Sequence, residues 1–126
     1  MRNFESGATR NDATNKFRYE GFLSPACIEE YGKYMHKHRK QANGELRSPD
    51  NWQKGIEQDV YIDSIFRHFM DLWFIHRGYE RYDDDTGEKL TIRTVCCALL
   101  FNVFGYLFEE LKLQPAEEEE EKTTDD

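Results

Sequence analysis

The sequence predicts an all-α fold, a small helical domain with an irregular N-terminal arm and a disordered acidic C-terminal tail. Three observations lead there. Two stretches place apolar residues at helical spacing between good start and stop residues, a third long stretch is apolar nearly all round, and the segments between them are rich in turn formers.

The arm, residues 1–23, is polar with scattered aromatics and two glycines, shows neither helix nor strand periodicity, and is expected to lie on the domain. Helix one opens at Ser24-Pro25, where Ser suits the N-cap and Pro the first helical position. Ile28, Tyr31, Met35 and His38 then share one stripe, and the helix is expected to stop near Asn43-Gly44. A loop, ELRSPDNWQKG, follows. Helix two runs from Glu57 or Gln58 to about Arg77, with Tyr61, Ile65, Phe69, Leu72 and Ile75 inward and Gly78 as its stop. DDDTGEK is the next turn. Helix three runs from about Lys89 to Leu113 and has no polar face, so it needs more cover than two neighbours supply; a homodimer or homotetramer is expected.

A chain of 126 residues suits one domain, here residues 1–113, with residues 114–126 as a tail too charged to bury surface. Charge is uneven. Residues 1–55 carry ten Lys/Arg against seven Asp/Glu, residues 56–113 six against eleven, and the tail one against seven. The overall charge of −8 argues against a protein that coats nucleic acid, and no direct nucleic-acid binding is expected. A basic front and an acidic middle suit the phosphate and metal ends of one ligand. The N-terminus lacks the apolar run of a secretory signal, and Val95–Leu111 falls short of a membrane span, so no membrane partner is expected. Three cysteines, two of them adjacent, form neither a disulfide framework nor a zinc pattern, and thiols in a reducing cytoplasm are the expectation.

Chemistry concentrates in a few places. Glu80, Asp83, Asp84, Asp85 and Glu88 place five carboxylates within nine residues, oxygen donors of the kind that hold Mg²⁺ or Mn²⁺; a solvated acidic turn is the plainer alternative. His68 and Asp71, three apart on helix two, can face that turn as base and ligand, although Asp63, Arg67 and Asp71 also fit a ladder of helix ion pairs. Glu29 and Glu30 on helix one are further carboxylates. Arg2, Arg10, Lys16 and Arg18 in the arm and Lys33, Lys37, Arg39 and Lys40 on helix one are candidate phosphate partners. Trp52 can stack on a base that Asn51 reads, or can simply fill the core while Asn51 caps a turn.

The ordered segments FESGATR, KFRYEGFLSP, YMHKH, DNWQKG, RHFMDLW, HRG, DDDTG and CCALLFN resemble the phage dATP/dGTP diphosphohydrolases, the MazZ-like group related to the MazG-type all-α nucleotide pyrophosphohydrolases. The resemblance spans residues 2–111. It implies cleavage of dATP or dGTP to the deoxynucleoside monophosphate and diphosphate, Mg²⁺ or Mn²⁺ held by acidic side chains, an oligomer, and a part in a phage nucleotide pool, including pools that supply 2-aminoadenine. The chain departs from the broader group in lacking a Glu-x-x-Glu before the tail, and its one Glu-x-x-Asp, Glu80 to Asp83, falls at a turn. Combined with the residues themselves, the expected assignment is Asp83, Asp84 and His68 as catalytic, and Glu80, Asp83, Asp84, Asp71 and Glu30 as metal ligands. Arg10, Lys16, Arg18 and Lys33 are expected on phosphate, and Asn51 and Trp52 on base or sugar. The competing expectation is a non-catalytic helical adaptor or nucleotide sensor that uses the acidic tail as its contact.

Overall fold

The computed structural model of the chain describes residues 1–12 and 15–113; the expected acidic tail lies outside the described residues. The described chain is mostly helical, as the sequence predicts. After two short strands, β1 (Arg2–Asn3) and β2 (Thr9–Arg10), come α1 (Tyr19–Phe22), α2 (Pro25–Lys37), a 3₁₀ turn (Asn51–Lys54), α3 (Gln58–His76) and α4 (Ile92–Leu113). The strands are a departure from expectation. FESGATR is the tip of an antiparallel hairpin pairing Arg2 with Arg10 and Asn3 with Thr9. The Phe4 amide donates to the Ala8 carbonyl at 3.0 Å, and Gly7 turns the chain at φ 92°. Neither this hairpin nor α1 packs on α2, α3 or α4, so the arm does not lie on the helices as expected.

Helix starts follow their local signals. Ser24 Oγ accepts from the Cys27 amide at 3.3 Å with Pro25 in the first turn. α2 ends at Lys37, well before Asn43-Gly44. What stops it is a folded-back loop in which the Arg47 amide donates to the Arg39 carbonyl and the Gln41 amide to the Glu45 carbonyl, both at 2.8 Å. Arginine side chains lock it: Arg39 Nε donates to the Arg47 carbonyl at 2.8 Å, and Arg47 Nη1 to the His38 carbonyl at 3.2 Å.

α4 is the central element, with α3 along one side and α2 on another, and α2 and α3 do not pack on each other. The core is Tyr61 from α3 with Val95, Cys97 and Ala98 from α4. Tyr61 crosses α4 at Gly105, where any side chain would overlap its ring, and stands edge-on to Phe101 with centroids 6.0 Å apart. The buried Asn102 amide is satisfied inside its own helix, donating to the Ala98 carbonyl at 2.8 Å. The inward stripe of α3 is Tyr61, Ile65, His68, Leu72 and Ile75, so His68 occupies the place expected for Phe69, which is 48% exposed. The expected ladder of Asp63, Arg67 and Asp71 does not form either: Arg67 donates to Ser64 Oγ at 2.9 Å, and Asp71 pairs with Arg81. By length and composition α4, at 22 residues, is long and apolar enough to cross a membrane, because it starts three residues before Val95 and continues past Leu111.

Candidate functional site

Gly78, at φ 92°, ends α3 and turns the chain into a short hairpin closed by a bridge between Tyr82 and Lys89. The aspartates are its tip. Asp83 Oδ1 accepts from the amides of Asp85 and Thr86, both at 2.9 Å, while the Asp83 amide donates to the Glu88 carbonyl at 2.8 Å. A carboxylate that accepts backbone N–H groups prefers its charged form, so the Thr86 amide first and the Asp85 amide next hold the Asp83 carboxyl below its ordinary range. The Asp run is therefore partly the chemistry of a turn.

Beside this tip lies an open cleft of about 570 Å³, lined by His68 and Asp71 from α3 and by Glu80, Arg81, Asp83 and Asp84 from the hairpin. Several of its charges are already engaged. Arg81 Nε donates to Asp71 Oδ1 at 3.0 Å while its guanidinium sits 4.3 Å over the Phe74 ring. Glu80 accepts from the Tyr82 hydroxyl at 2.6 Å and from Lys89 Nζ at 3.2 Å; the first of these contacts, then the second, lowers its pKa. His68 Nδ1 is 4.0 Å from Asp71 Oδ2, too far for a hydrogen bond. Burial lowers the His68 pKa and outweighs the opposing Asp71 charge, so His68 is a neutral imidazole at neutral pH.

A second cavity, about 640 Å³, opens between the C-terminal half of α2 and the 3₁₀ turn. Met35, Trp52, Ile56 and Phe101 give it apolar walls, and His36, His38, Arg39 and Arg47 give it a cationic rim. Neither arginine has a carboxylate partner among the described residues. Trp52 is half-buried: it packs edge-on to Phe108 on α4, centroids 4.9 Å apart, and its surface lines the cavity beside Asn51.

His38 lines the apolar cavity, and no residue lines both that cavity and the cleft. Its ring stacks on Tyr34 with centroids 4.0 Å apart, and its Nδ1 is 2.9 Å from the acceptor-only Tyr34 carbonyl, which places a proton on Nδ1 and leaves Nε2 open. A proton on the second nitrogen would make it a cation near enough to the cleft to favour the Asp83 carboxylate and to disfavour a charged His68. Tyr34 beneath it is buried enough that its phenol is pushed up to about 12, burial being the leading cause.

Of the expected site residues, the structure thus brings Asp83, Asp84, Glu80, Asp71 and His68 into one cleft and Asn51 and Trp52 into a second cavity. The rest lie elsewhere. Glu30 pairs with Arg93 at 3.3 Å and Lys33 with Glu29 at 3.7 Å, both away from the acidic cleft, and Arg10, Lys16 and Arg18 on the arm line neither space. Among the described residues no three His, Cys, Asp or Glu side chains converge to hold a metal ion. With Asp71 and Glu80 committed to partners and Asp83 half committed to its turn, the cleft does not make a resident metal cage. Arg39, a candidate phosphate partner from the sequence, does line the cavity; Arg47 is the residue that sequence reasoning left without a site role, and its place in a loop running into Trp52 was the available signal. No protein-family model, curated protein or solved structure matches the chain.

Proposed function

We propose that the chain hydrolyses purine deoxynucleoside triphosphates, dATP or dGTP, between the α- and β-phosphates, like the all-α nucleotide pyrophosphohydrolases that its motifs resemble. The observation that carries the reading is a pair of spaces on one domain: an apolar, aromatic-walled cavity with a cationic rim, and a carboxylate-lined cleft whose Asp83 and His68 are near enough to His38 of the cavity for its charge to bear on them. A purine nucleotide with its metal-bound phosphates has that same sequence of properties along its length.

In this reading the base enters beside Trp52 and Asn51, and Arg39, Arg47 and His38 meet acceptor oxygens of sugar and phosphate. Mg²⁺ or Mn²⁺ arrives as part of the triphosphate substrate, where it neutralises phosphate charge, and Asp83 and Asp84 orient that complex. His68 Nε2 or a cleft carboxylate takes the proton of a water that attacks the α-phosphorus; the new O–P bond forms as the bridging α–β P–O bond breaks and diphosphate leaves. Glu80 and Asp71, held by Lys89 and by Arg81, act as positioning residues. Glu30 and the arm cations Arg10, Lys16 and Arg18 have no part in this arrangement. A phage nucleotide pool in a host cytoplasm is the setting that the resemblance suggests.

The test is a pair of variants read by steady-state kinetics with dATP and dGTP. Asp84→Ala should lower kcat while the fold is kept, and Trp52→Ala should raise KM. Full turnover in a folded Asp84→Ala, Asp83→Asn double variant would remove the cleft from the mechanism. A wild-type protein that binds these nucleotides and never turns them over would favour the sensor.

A further inference from the structure

We infer that Cys27 and Cys96 form a redox-active thiol pair, one that a small-molecule disulfide converts into a disulfide bridge between α2 and α4. The inference does not depend on the proposed catalytic activity.

All three cysteines of the chain line one cavity, about 490 Å³, between the N-terminal part of α2 and the first half of α4. Their spacing does not foretell this, because Cys27 is far along the chain from the other two. Packing of α2 on α4 brings them together. On α2, Cys27, Glu30 and Tyr31 are spaced i, i+3, i+4 and so share one face. On α4, Arg93, Cys96, Cys97, Leu100 and Phe104 share a face at i, i+3, i+4, i+7, i+11. Two contacts hold these faces against each other: Arg93 Nη1 meets Glu30 Oε1 at 3.3 Å, and the rings of Tyr31 and Phe104 lie with centroids 6.0 Å apart. On α4 the thiols fall between those two contacts. Helices packed at the usual interaxial distance bring facing Cα atoms within roughly 4–7 Å, the separation that a disulfide spans.

Accessibility separates the pair from the third thiol. Cys97 is 5% exposed; burial first, then the Glu30 charge and the neighbouring Cys96 and Cys27, raises its pKa and keeps it a protonated, inert thiol. That is the ordinary state of a core cysteine. Cys27 and Cys96 are exposed, so both can meet a reagent from solvent. Thiols around a cavity can also build a metal site, but among the described residues no three His, Cys, Asp or Glu side chains converge. A bridge needs only two.

The thiolate of one cysteine attacks a sulfur of the small disulfide; that S–S bond breaks, a mixed disulfide forms, and one small thiol leaves with the proton the cysteine gave up. The second cysteine then attacks the sulfur of the first, the S–S bond between Cys27 and Cys96 forms, and the other small thiol leaves. The chain gives up two electrons and two protons, and the reagent takes both as it becomes two thiols. The bridge closes a loop of about 70 residues. It ties α2, with Tyr34, Met35 and His38 of the apolar cavity, to α4, with Phe101 of the same cavity.

The experiment equilibrates the full reduced chain, kept dilute to disfavour bonds between chains, in buffers of reduced and oxidised glutathione. Samples are quenched with acid, alkylated with N-ethylmaleimide and weighed by mass spectrometry. As the buffer turns oxidising, alkylatable thiols should fall from three to one in a single step. Cys27→Ser and Cys96→Ser should each abolish the step, and Cys97→Ala should keep it. Should Cys97→Ala fail to fold, tandem mass spectrometry of the cross-linked wild-type peptides tells Cys96 from Cys97. Because a native bridge and the native fold favour each other, half-oxidation should come at a ratio of oxidised to reduced glutathione about tenfold or more below that needed in urea. Three alkylatable thiols throughout the range, glutathione adducts that never close, or a bond between two chains overturns the inference. So does a bridge that survives Cys96→Ser, or a native midpoint equal to the one in urea.

Discussion

Gly105→Ala is a small change with a large expected effect. In most helix interiors the substitution stabilises by about 0.5–1 kcal/mol, because Ala has less backbone freedom to lose. At position 105 the new Cβ would overlap the Tyr61 ring and lie 2.6 Å from its Oη. The ring has no room to retreat: Tyr61 is 1% exposed and stands against Phe101. Either α3 moves off α4, at an overpacking cost of about 1–3 kcal/mol, or Tyr61 leaves the core and forfeits about 2 kcal/mol of burial. Net of the helix gain, a destabilisation of about 1–2 kcal/mol is expected. Urea unfolding followed by circular dichroism at one fixed protein concentration measures it. The double variant Gly105→Ala, Tyr61→Leu should recover part of the loss, as residues in contact couple. A Gly105→Ala protein at least as stable as wild type would show that α3 and α4 do not cross there.

Three further outcomes follow from the site. Asp83→Ala removes the acceptor of two turn amides and should cost about 1–2 kcal/mol in urea unfolding, whereas Asp83→Asn keeps an acceptor oxygen, should hold the fold, and should still slow turnover about tenfold or more. Because burial lowers the His68 pKa, the acid limb of kcat should fall below pH 6.5 and should be lost in His68→Gln; unfolding stability should also decline as pH drops from about 6.5 through the lower folded pKa, since the unfolded chain then takes up a proton the folded chain resists. Arg47→Gln should weaken nucleotide binding measured by calorimetry without metal, while Arg10→Gln on the arm should leave it unchanged.

The helix starts were legible because each is decided within a few residues. Ser24 and Pro25 cap α2 by local hydrogen bonding and fixed φ, and Gly78 ends α3 by adopting a positive φ. The end of α2 was not legible. KHRKQ has good helix formers, and the chain leaves the helix only because Arg39 and Arg47 reach across the loop to backbone carbonyls, contacts between residues eight or nine apart. The same folded-back loop carries Arg47 to the rim beside Arg39, so missing the loop meant missing Arg47. In the acidic segment the cluster itself could be read. Which carboxylates were free could not, because Arg81 and Lys89 claim Asp71 and Glu80 through the three-dimensional path of the hairpin. The inward stripe of α3 is legible almost in register, with Phe69 expected where the structure places the half-buried His68.

The central claim is hydrolysis of the α–β phosphoanhydride, and product analysis tests it most directly. The purified chain is incubated with each common ribo- and deoxyribonucleoside triphosphate in ¹⁸O-labelled water, with Mg²⁺ or with a chelator, and the products are separated by anion exchange and weighed by mass spectrometry. The account predicts Mg²⁺-dependent dAMP or dGMP carrying the label, together with unlabelled diphosphate. Label in diphosphate or in free phosphate, or no turnover of any triphosphate, would contradict it.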